Sequence, residues 1–193
     1  MQRLLIIDNY DSFTYNLVEA FRQLGYNEFT LRFNDQVDLE EINDYDKILL
    51  SPGPDVPSKA GLMPKIIDKY ITRKSFLGVC LGHQAIAEHF GAEIVPAKEI
   101  LHGVATKAYK LLKDDVLYKK TPQEFDVGRY HSWVVDANTL PDCLLPTLKD
   151  SEEVIMGFSH KDLPVYGVQY HPESIMTPFG RQILLNWLES DTL

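Results

Sequence analysis

Hydrophobic residues in the first half of the chain fall into short continuous runs, separated by segments of helical spacing. Residues 4–7 form an uninterrupted apolar run, which is typical of a strand buried on both faces of a sheet. Apolar residues then recur at helical spacing from Phe13 until Gly25 closes the segment. Further strands are predicted at Phe29–Phe33, Lys47–Leu50 and Ser75–Val79, and further helices at residues 62–71 and 83–90. This alternation predicts βαβ units and a parallel sheet.

The pattern changes after Gly91 to closely spaced strand-like pieces. They lie at residues 93–95, 106–112, 128–135, 144–148, 154–159 and 165–170. We expect a mostly antiparallel section that covers or extends the parallel core, and a last helix at residues 179–188 that packs on the sheet. The predicted fold is therefore α/β, with an open, mostly parallel central sheet flanked by helices and an additional antiparallel strand section.

Length and composition predict one globular domain over residues 1–193, because 45% of the residues are hydrophobic and 24% are charged. No apolar stretch approaches the roughly 20 residues that span a bilayer, and the apolar start is too short for a signal peptide. We therefore expect a cytoplasmic protein without membrane contact.

The charge and cysteine content narrow the possible partners and ligands. The net charge is −9 and no cluster of lysine or arginine interrupts it, which argues against a nucleic-acid surface and favours small substrates or protein partners. Cys80 and Cys143 are far apart and form no C-x-x-C motif, which argues against a disulfide scaffold and a structural zinc site. We expect no metal in this chain.

Cys80 stands between two glycines in the stretch GVCLGHQ, where a predicted strand ends and a predicted helix begins. In open parallel sheets, ligand chemistry collects beyond the carboxyl ends of the strands. The pattern G-x-C-x-G matches a nucleophile elbow, a sharp turn that needs small neighbours such as Gly78 and Gly82. The Leu81 amide near the helix start could bind an oxyanion. The alternative is a buried structural cysteine in a glycine-rich turn.

A thiol nucleophile needs a base, and His171 is the best candidate. It ends the predicted strand at 165–170, and Glu173 lies two residues later, where extended backbone would project it to the same side and let it orient the imidazole. The alternative is a polar strand end with a surface salt bridge. His131 is the second candidate for the base, and His83 is expected to bond to local backbone.

A second oxyanion donor is predicted in the turn SPGP at residues 51–54. Between Pro52 and Pro54, only Gly53 has both a free N–H and wide backbone freedom. Its amide is the candidate donor, and the alternative is an ordinary proline-stiffened turn.

Three stretches in this order resemble the motifs of the class I (triad) glutamine amidotransferases: SPGP at 51–54, LGVCLGHQ at 77–84 and GVQYHPE at 167–173. Two more stretches, IDNYDSFTYN at 7–16 and HPESIMT at 171–177, are similar to the glutaminase subunits (component II) of anthranilate synthase and aminodeoxychorismate (para-aminobenzoate) synthase. The resemblance spans essentially the whole chain and implies a flavodoxin-like three-layer fold.

The resemblance implies hydrolysis of L-glutamine through a thioester, with ammonia delivered to a chorismate-binding synthase subunit (component I). It implies no cofactor in this chain, with Mg²⁺ only in the partner subunit. The product would be anthranilate for tryptophan biosynthesis or aminodeoxychorismate for folate biosynthesis, and one glutaminase subunit could serve both. The implied catalytic residues are Cys80, His171 and Glu173; the oxyanion donors Gly53 and Leu81; the glutamine-binding residues Gly53, Pro54, Asp55, Gln84, Ser132 and Trp133; and the partner-facing residues Tyr10, Ser12 and His102.

The chain departs from the family pattern at two positions. Asp55 stands where relatives commonly carry a small residue, and Trp133 is bulkier than the expected leucine. Two other interpretations remain open, a stand-alone cysteine hydrolase of the same fold and a non-catalytic regulatory subunit. The retained Cys80, His171 and Glu173 argue against the second.

Overall fold

A computed structural model describes residues 2–192, which form nine strands and four α-helices, numbered here in chain order. Two short 3₁₀ turns lie at Glu41–Asp44 and Pro57–Lys59. The helices are α1 (Phe13–Gln23), α2 (Met63–Tyr70), α3 (Leu81–His89) and α4 (Gly180–Leu188). The strands are β1 (Leu4–Asp8), β2 (Phe29–Phe33), β3 (Lys47–Leu50), β4 (Ser75–Val79), β5 (Ile94–Lys110), β6 (Glu124–Val135), β7 (Leu144–Asp150), β8 (Ile155–His160) and β9 (Val165–Val168).

All nine strands join one sheet in the order β2-β1-β3-β4-β9-β8-β7-β5-β6. The pairs from β2 to β9 are parallel, and the pairs from β9 to β6 are antiparallel. The predicted fold class is thereby confirmed, and the antiparallel section extends the parallel sheet. Because β4 and β9 are parallel neighbours, their carboxyl ends bring the segments after Val79 and Val168 to the same edge.

Helices pack on both faces of the sheet and form a three-layer arrangement. In β1, Leu4 and Ile6 pack into the core that includes α1 and α4, whereas Leu5 and Ile7 pack into the core that includes α2 and α3. This alternation explains why β1 is a continuous apolar run, since both of its faces are buried.

The predicted boundaries differ by two or more residues at five places, one of which is the end of β7 at Asp150, two residues later than expected. Strand β5 is one strand of 17 residues and not two short pieces, and β6 begins at Glu124 and not at residue 128. Strand β9 ends at Val168, two residues earlier than expected, and α3 begins at Leu81, two residues earlier. The long β5 was missed because much of it is exposed, so its polar residues break the apolar alternation.

None of the helices within residues 2–192 has both the length and the apolar character that crossing a bilayer requires.

Candidate active site

Cys80 occupies the sharp turn between β4 and α3. Its backbone has φ +52° and ψ −101°, a combination that residues with a side chain rarely adopt and that costs roughly 1–3 kcal/mol. Two hydrogen bonds hold this turn: the Cys80 amide donates to the Val168 carbonyl at 2.8 Å, and the Gln84 amide donates to the Cys80 carbonyl at 3.1 Å. The turn therefore has the form that the G-x-C-x-G pattern predicted.

The two glycines that flank Cys80 allow the helix to approach the sheet closely. A Cβ on Gly78 would lie 2.4 Å from the Gly82 carbonyl, and a Cβ on Gly82 would lie 2.4 Å from the Leu50 carbonyl oxygen. Both neighbours are backbone atoms, so neither clash could be relieved by turning a side chain. A side chain at either position would push α3, and Cys80 with it, away from the sheet.

His171 and Glu173 form the pair that the sequence predicted, although they do so in a turn and not in extended backbone. The Nδ1 atom of His171 lies 2.6 Å from Oε1 of Glu173, and both side chains are buried. With Nδ1 bonded to the carboxylate, Nε2 is the nitrogen left to act on other groups. It has no hydrogen-bond partner among the residues that the structure describes.

The charge on His171 is controlled by its surroundings. Burial alone would lower its pKa, but hydrogen bonding and charge from Cys80 and Glu173 outweigh burial and raise the pKa to about 10. Nε2 of His171 does not form a hydrogen bond with the Cys80 sulfur, and catalytic hydrogen bonds are often long before substrate binds. The site thus favours a positively charged imidazole next to a sulfur that can carry negative charge.

Two aromatic rings that the sequence did not single out fix the plane of the His171 imidazole. Phe13 packs edge-on against it at 4.7 Å between ring centroids, and Tyr130 does so at 4.9 Å. Phe13 and Tyr130 also contact each other at 4.7 Å. Their partnership arises only when α1, β6 and the segment after β9 meet, so no local spacing could have indicated it.

Three hydrogen bonds tie the backbone of His171 to strand β6. The His171 amide donates to the Gly128 carbonyl at 3.0 Å, and the Thr177 hydroxyl donates to the His171 carbonyl at 2.7 Å. The Gly128 amide in turn donates to the Thr177 hydroxyl at 3.0 Å. Residues 171–177 are therefore held against the outermost strand of the antiparallel section.

His131, the second candidate for the base, has both ring nitrogens occupied. Its Nε2 accepts a hydrogen bond from Arg129 at 3.2 Å, and its Nδ1 bonds to the Trp133 carbonyl at 3.0 Å. Burial and then the Arg129 charge lower the pKa of His131 to about 3. A neutral ring with no free nitrogen is unsuited to take a proton from the thiol.

His83 does not bond to local backbone, so that expectation was wrong. It is fully buried in the first turn of α3 and packs on Phe158 at 4.7 Å, and neither ring nitrogen has a hydrogen-bond partner among residues 2–192. Burial, with a smaller contribution from His131, lowers the pKa of His83 to about 3, so the ring is neutral.

Gly53 faces the nucleophile helix across a narrow gap. A Cβ on Gly53 would lie 2.6 Å from a methyl carbon of Leu81 and 2.6 Å from the side chain of Asn9. Asn9 supports this segment, because its side-chain amide donates to the Ser51 carbonyl at 2.8 Å and its backbone amide donates to the Ser51 hydroxyl at 2.9 Å. Leu81 is the first residue of α3, where backbone amides lack an intrahelical acceptor. Gly53 and Leu81 therefore lie together beside Cys80, and their role as oxyanion donors stays a prediction.

A cavity of about 350 Å³ opens in front of Cys80. Every residue predicted to bind glutamine lines it, and so do Asp11, Tyr130 and His131, which were not predicted to do so. The Gln84 side-chain amide donates to the Trp133 carbonyl at 2.9 Å, so the two walls of the cavity are bonded to each other. The predicted lining residues are Gly53, Pro54, Asp55, Gln84, Ser132 and Trp133.

The departure at Asp55 has a local explanation. Asp55 has φ +65°, in the left-handed region, which aspartate tolerates better than most residues. Its carboxylate accepts a hydrogen bond from Lys59 at 2.9 Å, and both side chains are largely exposed. The charge of Asp55 is thus partly balanced at the rim of the cavity.

The three residues predicted to face a partner are exposed. His102 lines the cavity and packs against Tyr130 at 5.5 Å. Tyr10 stacks on Phe33 at 4.6 Å and donates a hydrogen bond to Asp35 at 2.7 Å. Ser12 precedes α1 without capping it through its side chain. Their role in an interface stays a prediction.

Among residues 2–192, no group of three histidine, cysteine, aspartate or glutamate side chains is placed to hold a metal ion.

Comparisons with known proteins identify the family of this chain. The profile of the family "Glutamine amidotransferase class-I" matches residues 5–190. Anthranilate synthase component 2 of Pseudomonas aeruginosa is 43% identical over 192 residues, covering 96% of this chain and 94% of the relative. The aminodeoxychorismate/anthranilate synthase component 2 of Bacillus subtilis is 41% identical over 190 residues, covering 97% of this chain and 96% of the relative.

Solved structures show the same fold. A Thermoplasma acidophilum protein, provisionally named as part of a GMP synthase, superposes with a TM-score of 0.86 at 30% identity, covering 97% of this chain and 92% of that one. A glutamine amidotransferase from Thermotoga maritima superposes with a TM-score of 0.70 at 20% identity, covering 97% and 81%. The family that the sequence motifs resembled is thereby confirmed, and the chain belongs to the class I glutamine amidotransferases.

Proposed function

We propose that this chain is the glutaminase subunit of an anthranilate synthase, which hydrolyses L-glutamine and delivers ammonia to a chorismate-binding synthase subunit. One observation carries the chemistry: Cys80 stands on a strained turn at the wall of a cavity, beside the buried pair of His171 and Glu173. The name of the Pseudomonas aeruginosa relative supports the assignment to anthranilate formation.

In the first half of the reaction, the Cys80 thiolate attacks the carbonyl carbon of the glutamine side chain, and the carbonyl electrons move onto oxygen. The amides of Gly53 and Leu81 donate hydrogen bonds to that oxyanion. When the tetrahedral species collapses, the C–N bond breaks and His171 gives its proton to the leaving nitrogen. Ammonia leaves, and a thioester to Cys80 remains.

In the second half, His171 takes a proton from water, and the resulting hydroxide attacks the thioester carbonyl. The C–S bond breaks, glutamate leaves, and the thiolate and imidazolium are restored. Glu173 holds the Nδ1 proton of His171 throughout and favours the positive charge on the ring without exchanging protons itself.

The cavity is of a size to hold one amino acid. We assign glutamine binding to the Gln84 amide, the turn formed by Gly53, Pro54 and Asp55, and the backbone around Ser132 and Trp133. No cofactor takes part in these steps, and Mg²⁺ is expected only in the partner subunit. We place the protein in the cytoplasm, with Tyr10, Ser12 and His102 facing the synthase subunit.

A second candidate is the glutaminase subunit of aminodeoxychorismate synthase, alone or shared between both pathways. The observation in its favour is the Bacillus subtilis relative, whose name covers both products at 41% identity. The two candidates share one glutaminase reaction and differ only in the partner. The chain is purified together with its native large subunit, and the complex is assayed with chorismate, Mg²⁺ and glutamine. This assay distinguishes fluorescent anthranilate from aminodeoxychorismate.

The decisive test of the chemistry is Cys80→Ser in that complex. We expect it to abolish glutamine-dependent synthesis while synthesis from free ammonia continues, because only ammonia generation needs the thiol. Cys143→Ser is the matched control and should retain both activities, since Cys143 lies outside the cavity. Glutamate release at the normal rate by Cys80→Ser would refute the nucleophile, and with it the proposed mechanism.

A further inference from the structure

Gln169 is a fully buried residue just beyond β9, and its side chain points at the nucleophile. Its Nε2 atom lies 3.6 Å from the sulfur of Cys80 as a hydrogen-bond donor. We propose that Gln169 is a further catalytic residue, whose side-chain amide stabilises the Cys80 thiolate directly. This inference rests on the proposed role of Cys80 as the nucleophile.

The proposal requires that the nitrogen of Gln169, and not its oxygen, faces the sulfur. The orientation follows from the neighbouring Gln84, whose Nε2 lies 2.9 Å from the Trp133 carbonyl and 3.1 Å from Oε1 of Gln169. A backbone carbonyl can only accept, so the nitrogen of Gln84 must face Trp133. That nitrogen then needs an acceptor on Gln169, which leaves the donor nitrogen of Gln169 for the sulfur.

The same Trp133 carbonyl is fixed from its other side by His131. The Arg129 guanidinium can only donate, and it donates to Nε2 of His131 at 3.2 Å. The proton of neutral His131 must therefore be on Nδ1, which donates to the Trp133 carbonyl at 3.0 Å. Arg129 is itself held by Asp150 at 2.5 Å, with both side chains buried.

A chain of hydrogen bonds therefore runs from Asp150 to the thiol, and each donor in it is defined. Two groups within the chain have only one possible role, the Arg129 guanidinium that donates and the Trp133 carbonyl that accepts. Arg129 and His131 are thus positioning residues, because they act on Cys80 only through Gln84 and Gln169. The arrangement aims an N–H group at the sulfur without offering a proton that the thiolate could take.

The chemical benefit is support for the negative charge on the attacking sulfur. A hydrogen bond to the charged form of a group favours that form, and an ordinary thiol is mostly protonated at neutral pH. Cys80 is only 7% exposed, so water gives its negative charge little support. Gln169 supplies part of that support from inside the protein, on the side of the sulfur away from solvent.

The direct test is the rate at which Cys80 reacts with iodoacetamide at pH 7, in a Cys143→Ser background where Cys80 is the only thiol. Gln169→Met keeps the length of the side chain and removes the donor, and Gln169→Glu keeps the shape and puts an oxygen against the sulfur. Intact-mass spectrometry follows the alkylation. We expect both variants to react about tenfold more slowly, the lower end of the effect of a hydrogen bond to a charged group. Their kcat for glutamine should fall in parallel, with KM within about twofold, since Gln169 does not line the cavity.

A packing role predicts a different result, because methionine would fill the same space and the rate would stay within twofold of the parent. That result in a folded variant, checked by circular dichroism, would overturn the proposal. A variant that fails to fold would expose the thiol and react faster with iodoacetamide, whereas the proposal predicts a slower reaction. If neither variant folds, ¹⁵N NMR of the Gln169 side-chain amide in the Cys143→Ser protein decides: its signal is expected to move when Cys80 is alkylated, and an unmoved signal would overturn the proposal. Failure of Cys80→Ser to stop glutamine hydrolysis would instead refute the nucleophile itself.

Discussion

Gly82 offers a sharp test of how closely the nucleophile helix must approach the sheet. The added Cβ of Gly82→Ala would lie 2.4 Å from the Leu50 carbonyl oxygen and 2.6 Å from the Leu50 Cβ. Leu50 ends β3, and the turn with Gly53 follows it. The methyl group would therefore act as a wedge between the two segments that carry the predicted oxyanion donors.

Two opposing effects decide the stability of this variant. Alanine favours a helix over glycine by about 1 kcal/mol, whereas overpacking a tight contact costs about 1–3 kcal/mol. The net loss is then roughly 0–2 kcal/mol, which corresponds to a Tm decrease of no more than about 8 °C for a chain of this size. Restoring an ordinary contact requires a separation of roughly 1 Å, and a misplacement of that size can lower the rate about 100-fold.

The assay measures kcat/KM for glutamate release next to the thermal unfolding midpoint. Gly25→Ala is the matched control, because Gly25 has φ +80° with open space around it and lies at the end of α1, outside the cavity. We expect the control to lose about 1–2 kcal/mol through backbone strain and to keep its activity. If Gly82→Ala retained more than half of the wild-type kcat/KM, close approach of α3 would not be what positions Cys80.

Two further predictions concern the histidines. Glu173→Gln keeps an acceptor for His171 and removes the charge, so its glutaminase activity should fall less than that of His171→Ala; equal or greater loss would contradict an orienting role. The pKa of His171 is about 10 in the folded protein, above the ordinary value of 6.5, so protonation of this ring stabilises the fold fully below pH 6.5 and the stabilisation is lost as pH rises through 10. In urea titrations, the free energy of unfolding of Glu173→Gln should therefore fall less at alkaline pH than that of the wild type. His83→Leu removes two buried nitrogens that have no hydrogen-bond partner within residues 2–192, and it should stabilise the fold by about 1–3 kcal/mol. Since the folded pKa of His83, about 3, lies below 6.5, the variant should also lose less stability between pH 6.5 and 3, and an unchanged acid response would contradict its burial as a neutral ring.

The parallel half of the fold could be predicted from the sequence almost residue by residue. Strands β3 and β4 have the predicted bounds, because a strand buried on both faces of a parallel sheet is mostly apolar along its length. Strand β2 also has the predicted bounds, although it is only half-buried and includes Thr30 and Arg32. The antiparallel half was harder, since β5 is largely exposed and polar residues such as Lys98 and Glu99 hide its alternation. When only one face of a strand is buried, the apolar pattern that predicts the strand is weaker.

Some residues of the candidate site could be predicted from the sequence and others could not. Cys80, His171 and Glu173 were predictable because each stands in a local motif at the end of a strand, and the structure brings them together. Gln169 and Tyr130 were not, since their contacts join segments distant in the chain. The lowered pKa of His131 depends first on its burial and then on the Arg129 charge, and the residue pattern along β6 does not show that burial.

The attachment of His171 to Gly128 and Thr177 has a consequence for folding kinetics. Strand β9 lies in the middle of the sheet, yet the residues after it bond to β6 at the far edge, so the antiparallel strands must curl back before His171 can settle. Contacts between segments so distant in the chain form slowly because of their loop-closure cost. After dilution from denaturant, helix and sheet signals should therefore recover first, and glutaminase activity should return only with this final closure.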